Sequence, residues 1–154
     1  MKLGKCTKDA FAVIGKEGST ADGNGSIRKL WSEANAHFNE VSSLAKTDEN
    51  GEPVGIWGAM SDLSHSYEPW EDNFTKGLYL AGIECIDEAD APEGWTKWTI
   101  PAYEYLYAEV ESDKTFRAVL DYMNANDLDL VGAVHDFTCP KSGKSYMFFP
   151  IRKI

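Results

Sequence analysis

Two acidic residues set among aromatic rings are the part of this sequence best suited to do chemistry. Glu84 stands in Tyr79-Leu80-Ala81-Gly82-Ile83-Glu84-Cys85 and Asp136 in Ala133-Val134-His135-Asp136-Phe137. The rings that could surround them are Trp57, Tyr79, Trp98, Tyr103, Tyr105 and Phe149, with Tyr67 and Trp70 in a polar loop. A carboxylate held out of water against ring faces can pair with an organic ammonium, each ring adding roughly 0.5–2 kcal/mol of cation–π attraction. Desolvation raises the pKa of such an acid, and a bound cation restores its charged form. The same group could act as general base, activating water against a strained electrophile, with Glu84 or Asp136 in that role. Plainer accounts stand beside these. Asp136 could be a strand-end carboxylate, Glu84 an exposed strand residue, and the row Tyr103, Tyr105, Tyr107 a half-exposed sheet face. His135 adjoins Asp136 but points to the other face of a regular strand, which makes it a structural histidine and not half of a catalytic pair.

Other chemistries find little support. Cys6, Cys85 and Cys139 are an odd set without C-x-x-C spacing, and His37, His65 and His135 lack metal-ligand spacing, so neither a disulfide framework nor a metal or other cofactor is expected. Thr138-Cys139-Pro140-Lys141-Ser142-Gly143-Lys144-Ser145 looks like a phosphate-binding loop, but it has no leading glycine and joins two strands. No Ser/His/Asp or Cys/His nucleophile signature is present. A net charge of -10 repels nucleic acid and anionic membranes and attracts cations. With 43% apolar residues and a mean hydropathy of -0.39, the composition is that of a globular protein. The basic start Met1–Lys8 lacks the apolar run of a signal peptide, and no stretch is long enough to span a membrane, so a cytoplasmic location is expected.

These residues need elements to position them. A strand is expected over Ala10–Gly15, then a Gly-rich turn, then a helix from Ser26 to near Lys46 with Ile27, Leu30, Trp31, Ala34, Phe38, Val41 and Leu44 at steps of three and four. Strands follow over 53–60 and 74–86, separated by the loop 61–72 in which Tyr67 and Trp70 could form a lid. An acidic linker spans 87–94. The second half predicts a strand over 97–110 kinked at Pro101, a helix capped by Ser112 or Asp113 with Phe116, Val119, Leu120 and Met123 on one face, a strand over 128–138, a hairpin turn and a last strand over 145–153. Strand–helix–strand–strand therefore occurs twice, in repeats of about 9–88 and 95–154 within one domain of residues 1–154. Helices on one face of such a sheet make an α+β fold, with the open face as a groove about a pseudo-twofold axis. On this alignment Asp136 matches Ala59, and Trp57 shares that residue's face.

The order and spacing of Leu30-Trp31, Tyr79 to Cys85, Ile100-Pro101-Ala102-Tyr103-Glu104-Tyr105, Ala133 to Phe137 and Phe149-Pro150-Ile151-Arg152 resemble the gyrase-inhibitor-like small-molecule-binding domains. These are related to the effector-binding domains of AraC-type and MerR-type multidrug regulators. The resemblance covers about Phe11 to Ile154. It implies a duplicated βαββ fold with an antiparallel sheet, two helices and a central groove that binds amphipathic, often cationic drugs on aromatic walls against a carboxylate. Relatives usually carry Glu where Asp136 stands, one methylene longer. Some members are stand-alone proteins on mobile gene cassettes, some hydrolyse cyclopropane-bearing compounds, and the family name suggests a protein-sequestering role. This chain resembles the stand-alone kind, without a helix-turn-helix module. Its expected partner is an organic cation, and an exposed strand edge would also allow a homodimer.

Overall fold

A computed structural model describes residues 1–154. The elements run β1 (Leu3–Lys8), β2 (Phe11–Ser19), α1 (Ser26–His37), β3 (Ile56–Ser61), the single turn α2 (Glu71–Phe74), β4 (Leu78–Cys85), β5 (Thr96–Ile100), β6 (Tyr103–Glu109), α3 (Thr115–Ala125), β7 (His135–Thr138) and β8 (Ser145–Lys153). All eight strands join one antiparallel sheet in the order β1-β6-β8-β7-β3-β4-β2-β5. That order is symmetric about the β7/β3 seam, with β2-α1-β3-β4 on one side and β6-α3-β7-β8 on the other. The fold is α+β, a duplicated βαββ about a pseudo-twofold axis.

The strands β1 and β2 are one long chain pass, and so are β5 and β6. Lys8 faces Tyr103 and, beyond a short gap, Phe11 faces Ile100, so the two passes share one register across the break. The break falls where Pro101 has no N–H to give to a ladder. The expected kink in one strand at Pro101 is therefore a division into two strands that serve opposite halves of the sheet. The missed strand β1 was hidden in the lysine-rich start, whose short alternation Leu3-Gly4-Lys5-Cys6 carries little apolar signal.

Because linked strands sit at opposite ends of the order, the sheet must roll, and the roll encloses a core. Phe11, Val13, Trp57, Leu80, Trp98, Ile100, Tyr103 and Tyr105 form one buried cluster on the face that carries no helix. This corrects the expectation of a groove there: that face is filled by its own rings. On the other face, α1 covers β2 and β4, and α3 covers the second half through Val119 and Met123 against Leu106, Ala108, Val134 and Phe149. Each strand alternates between the two layers, as a pleated sheet requires.

The first helix stops at His37, short of the expected Lys46, and two 3-10 turns follow, Phe38–Glu40 and Ser42–Leu44. Ser42 donates from its hydroxyl to the Asn39 carbonyl at 3.4 Å, a local bond that competes with helix continuation. Three-residue turns still place Phe38, Val41 and Leu44 on one side, where they join the core beneath α1. No helix is long and apolar enough to cross a membrane.

Candidate functional site: a groove between the two helices

With α1 over one half and α3 over the other, the seam strands β3 and β7 are left uncovered on the helix face. Gly58 and Met60 on β3, Asp136 on β7 and Val134 just before it form the floor of a groove. Gly58 is the direct pairing partner of Asp136, so the counterpart of the acid across the axis is Gly58 and not Ala59. Trp57 consequently lies on the opposite face from Asp136.

Gly58 has a specific task. A Cβ there would fall on the Tyr79 hydroxyl and come within 3.2 Å of Asp136 Cβ. Without it, the Tyr79 ring crosses the backbone of β3 and its hydroxyl donates to Asp136 Oδ2 at 3.1 Å. Trp31 of α1 in turn donates from Nε1 to the Tyr79 oxygen at 3.0 Å. The helix thus orients the phenol, and the phenol orients the acid. Burial pushes the Asp136 carboxyl up from 3.8 to about 6, against the opposing effect of the Tyr79 hydrogen bond. Burial and the neighbouring Asp136 charge push the Tyr79 hydroxyl far up, so it stays a donor. Tyr79 is the only side chain bonded to this carboxylate, and no lysine or arginine is within ion-pair distance of it.

The groove has two unlike ends. Around Asp136 lies a hollow of about 310 Å³, bordered by Trp31, Gly58, Tyr79, Val110 and Tyr146. Beyond Met147, which pairs with Asp136, a wholly apolar hollow of about 180 Å³ is lined by Met60, Trp70, Phe74, Phe116, Val134 and Met147. Two of these walls come from the loop between β3 and β4. Trp70 lies over Gly77, where a side chain would collide with the indole, and donates from Nε1 to the Leu78 carbonyl at 2.9 Å. Asp72, Asn73 and Phe74 follow one another at φ of 54°, 58° and 64°, a conformation that costs L-residues roughly 1–2 kcal/mol each. That turn carries Phe74 across to α3, where its ring meets Phe116 edge-on at 5.1 Å.

Glu84 has a different environment on the far face of the sheet. It is 3% exposed; Oε1 accepts from Trp57 Nε1 at 3.0 Å and Oε2 pairs with Lys8 Nζ at 3.3 Å. Its charge is already met by the protein. The two expected carboxylates are therefore not in one hollow but on opposite sides of the sheet.

Of the residues singled out from sequence, Tyr79, Asp136 and Trp70 come together in the groove. Trp57, Trp98, Tyr103 and Tyr105 are turned into the rolled core, Tyr105 to 0% exposure. Phe149 is also 0% exposed, one layer behind the groove beneath α3, with Phe116 stacked on it at 5.7 Å. Tyr67 leaves the loop toward the core face and packs edge-on to Trp98 at 5.9 Å. His135 lies on that same face, fully buried, and its Nδ1 accepts from the Met60 backbone at 3.0 Å, as a structural histidine would. Sequence reasoning missed Met60, Phe74, Phe116, Val134 and Met147 as groove residues and named Trp31 only among the helix's apolar positions, whereas it packs against the core and also borders the groove. Phe116 and Trp31 sit on apolar helix faces, and periodicity does not separate the part of such a face that meets the sheet from the part that overhangs it. The usable signal was the isolated Gly58 in a strand pattern.

No protein-family model and no curated protein matches the sequence. Solved structures do match in shape. SAV2435 bound to tetraphenylphosphonium superposes with a TM-score of 0.70 at 12% identity, covering 99% of this chain and 94% of that one. EcmrR, in its complex with DNA, gives 0.68 at 10% identity, and this chain, 99% covered, spans 58% of it. An integron cassette protein from the mobile metagenome of Vibrio cholerae gives 0.58 at 18% identity, over 97% of this chain and 95% of that one. The fold is the gyrase-inhibitor-like one.

Proposed function

We propose that this protein binds lipophilic organic cations in the groove between α1 and α3, with Asp136 as the counter-charge. The observation that carries the reading is a carboxylate on the groove floor that no protein cation neutralises, beside an apolar hollow walled by aromatic and methionine side chains. Such a site carries the desolvation cost of an acid without an internal counter-charge, and a cationic ligand offsets that cost. Methionine and aromatic walls adapt to varied apolar shapes. The likeness in fold to SAV2435, which was seen with tetraphenylphosphonium, supports the same reading. As for the acid's shorter reach, Asp136 is brought up to the groove by a central strand, with Tyr79 bridging toward Trp31.

The test is calorimetric titration with tetraphenylphosphonium and with the uncharged triphenylphosphine oxide. Saturable binding of the cation, at least tenfold tighter than the oxide, is expected. Equal affinity for the two would overturn the role of charge. A second reading gives Asp136 the part of general base toward a strained electrophile, since an acid titrating at about 6 is a competent base at neutral pH. Turnover of a cyclopropane-bearing compound, lost in Asp136→Asn, would establish it.

A further inference from the structure

The helix-free face opens beside Glu84, and the chemistry there is the reverse of the groove's. A hollow of about 330 Å³ is bordered by Lys8, Lys46, Val54, Trp57, Glu84, Phe137 and Phe148. That volume falls at the lower end of small-molecule pockets, roughly 300–1,000 Å³. Its wall is a ring cluster: Trp57 lies 4.7 Å from Phe137 and 5.3 Å from Phe148, which are 5.6 Å from each other. Two ammonium groups face one carboxylate, a local positive excess on a chain whose net charge is -10.

The two lysines are not equivalent. Lys8 is committed: it bonds Glu84 Oε2 at 3.3 Å and lies 4.3 Å from the centre of the Phe11 ring. With Trp57 Nε1 on Oε1, the carboxylate has a partner on each oxygen. Lys46 stands 3.9 Å from Oε2, beyond hydrogen-bond distance, and its side chain is 45% exposed. Its three donors are free at the mouth of the hollow, next to ring faces that are only half covered.

We propose that this hollow is a second small-molecule site, selective for planar aromatic anions such as aryl carboxylates. The ring packs against Phe137 and Phe148, and the carboxylate is received by Lys46. Its charge preference is opposite to that of the Asp136 groove on the other side of the sheet, so the two sites take different ligands at once.

The probe is 2-naphthoate, titrated into the protein labelled for detection of its tryptophan indole N–H signals. Trp57 reports the hollow, while Trp31 and Trp70 report the groove. Saturable binding that moves the Trp57 signal and leaves those of Trp31 and Trp70 in place is expected. Lys46→Gln should weaken it at least fivefold and Lys46→Arg should keep it within twofold, because an exposed Lys46 can be changed without breaking the Lys8–Glu84 pair. Asp136→Asn and saturation with tetraphenylphosphonium should leave it unchanged. No saturable binding, an undiminished affinity in Lys46→Gln, or displacement by tetraphenylphosphonium would overturn the proposal. Failure of tetraphenylphosphonium itself to bind would count against the groove reading alone.

Discussion

Replacing Asp136 by asparagine should weaken cation binding and strengthen the fold, and the two effects share one cause. Burial raises this acid from 3.8 to about 6, so folding opposes its ionisation. For a carboxyl whose folded pKa is raised, the cost is absent below about pH 4, grows between 4 and 6, and is complete above 6. At 1.36 kcal/mol per unit the ceiling is about 3 kcal/mol, and water entering the open groove reduces this to about 1–2 kcal/mol. Asparagine keeps an oxygen to accept from Tyr79, so the hydrogen bond survives. Urea denaturation at pH 8 should therefore find Asp136→Asn more stable than wild type by about that amount, and the difference should vanish near pH 4. Ligand binding runs the other way. If a cation requires the ionised acid, about nine-tenths of the sites are competent at pH 7 and about one-tenth at pH 5, so wild-type affinity should fall about tenfold on acidification. The variant should bind at least tenfold more weakly at pH 7 and show no such pH dependence. A variant that is less stable than wild type at pH 8, or one whose affinity for tetraphenylphosphonium matches wild type, would refute the reasoning.

Gly58→Ala should place a methyl group on the Tyr79 hydroxyl, destabilising the protein by about 1–3 kcal/mol and separating the phenol from Asp136; denaturation and cation titration should show both losses. Glu84→Gln breaks the Lys8 pair and should cost about 1–3 kcal/mol in denaturation, while cation affinity in the groove changes less than twofold; a large change would mean that the sheet does not insulate its two faces. Burial holds His135 down at about 3, below the ordinary 6.5. Stability from this group is full above 6.5 and lost as pH falls, by about 2 kcal/mol between pH 7 and 5. His135→Gln should flatten that part of the pH–stability profile.

Much of the architecture was legible because local signals agreed with the global plan. The three- and four-residue spacing in Ile27 to Ala34, the turn at Pro140–Lys144 and the doubled element order all survive in the structure. The site was less legible because alternation along a strand tells which residues share a face but not which face is covered. Tyr103 and Tyr105 were rightly grouped, yet their side of the sheet rolls into a core, a consequence of pairings between strands far apart in sequence. The same gap left Glu84 and Asp136 as alternatives for the groove acid. Only the ladder, which sets Asp136 opposite Gly58 and Trp57 opposite Gly82 and Phe137, sorts one acid from the other.

The shared register of residues 3–19 and 96–109 has a consequence for how this molecule is made. Each half lends its leading strand to the border of the other, β1 beside β6 and β5 beside β2. Neither half alone would own a complete perimeter, and each would expose ladder groups ready to pair with a stranger. A nick in the 87–94 connection should accordingly yield two fragments that stay clasped and refold only when mixed. The groove, lying on the seam, is assembled by that same mutual embrace.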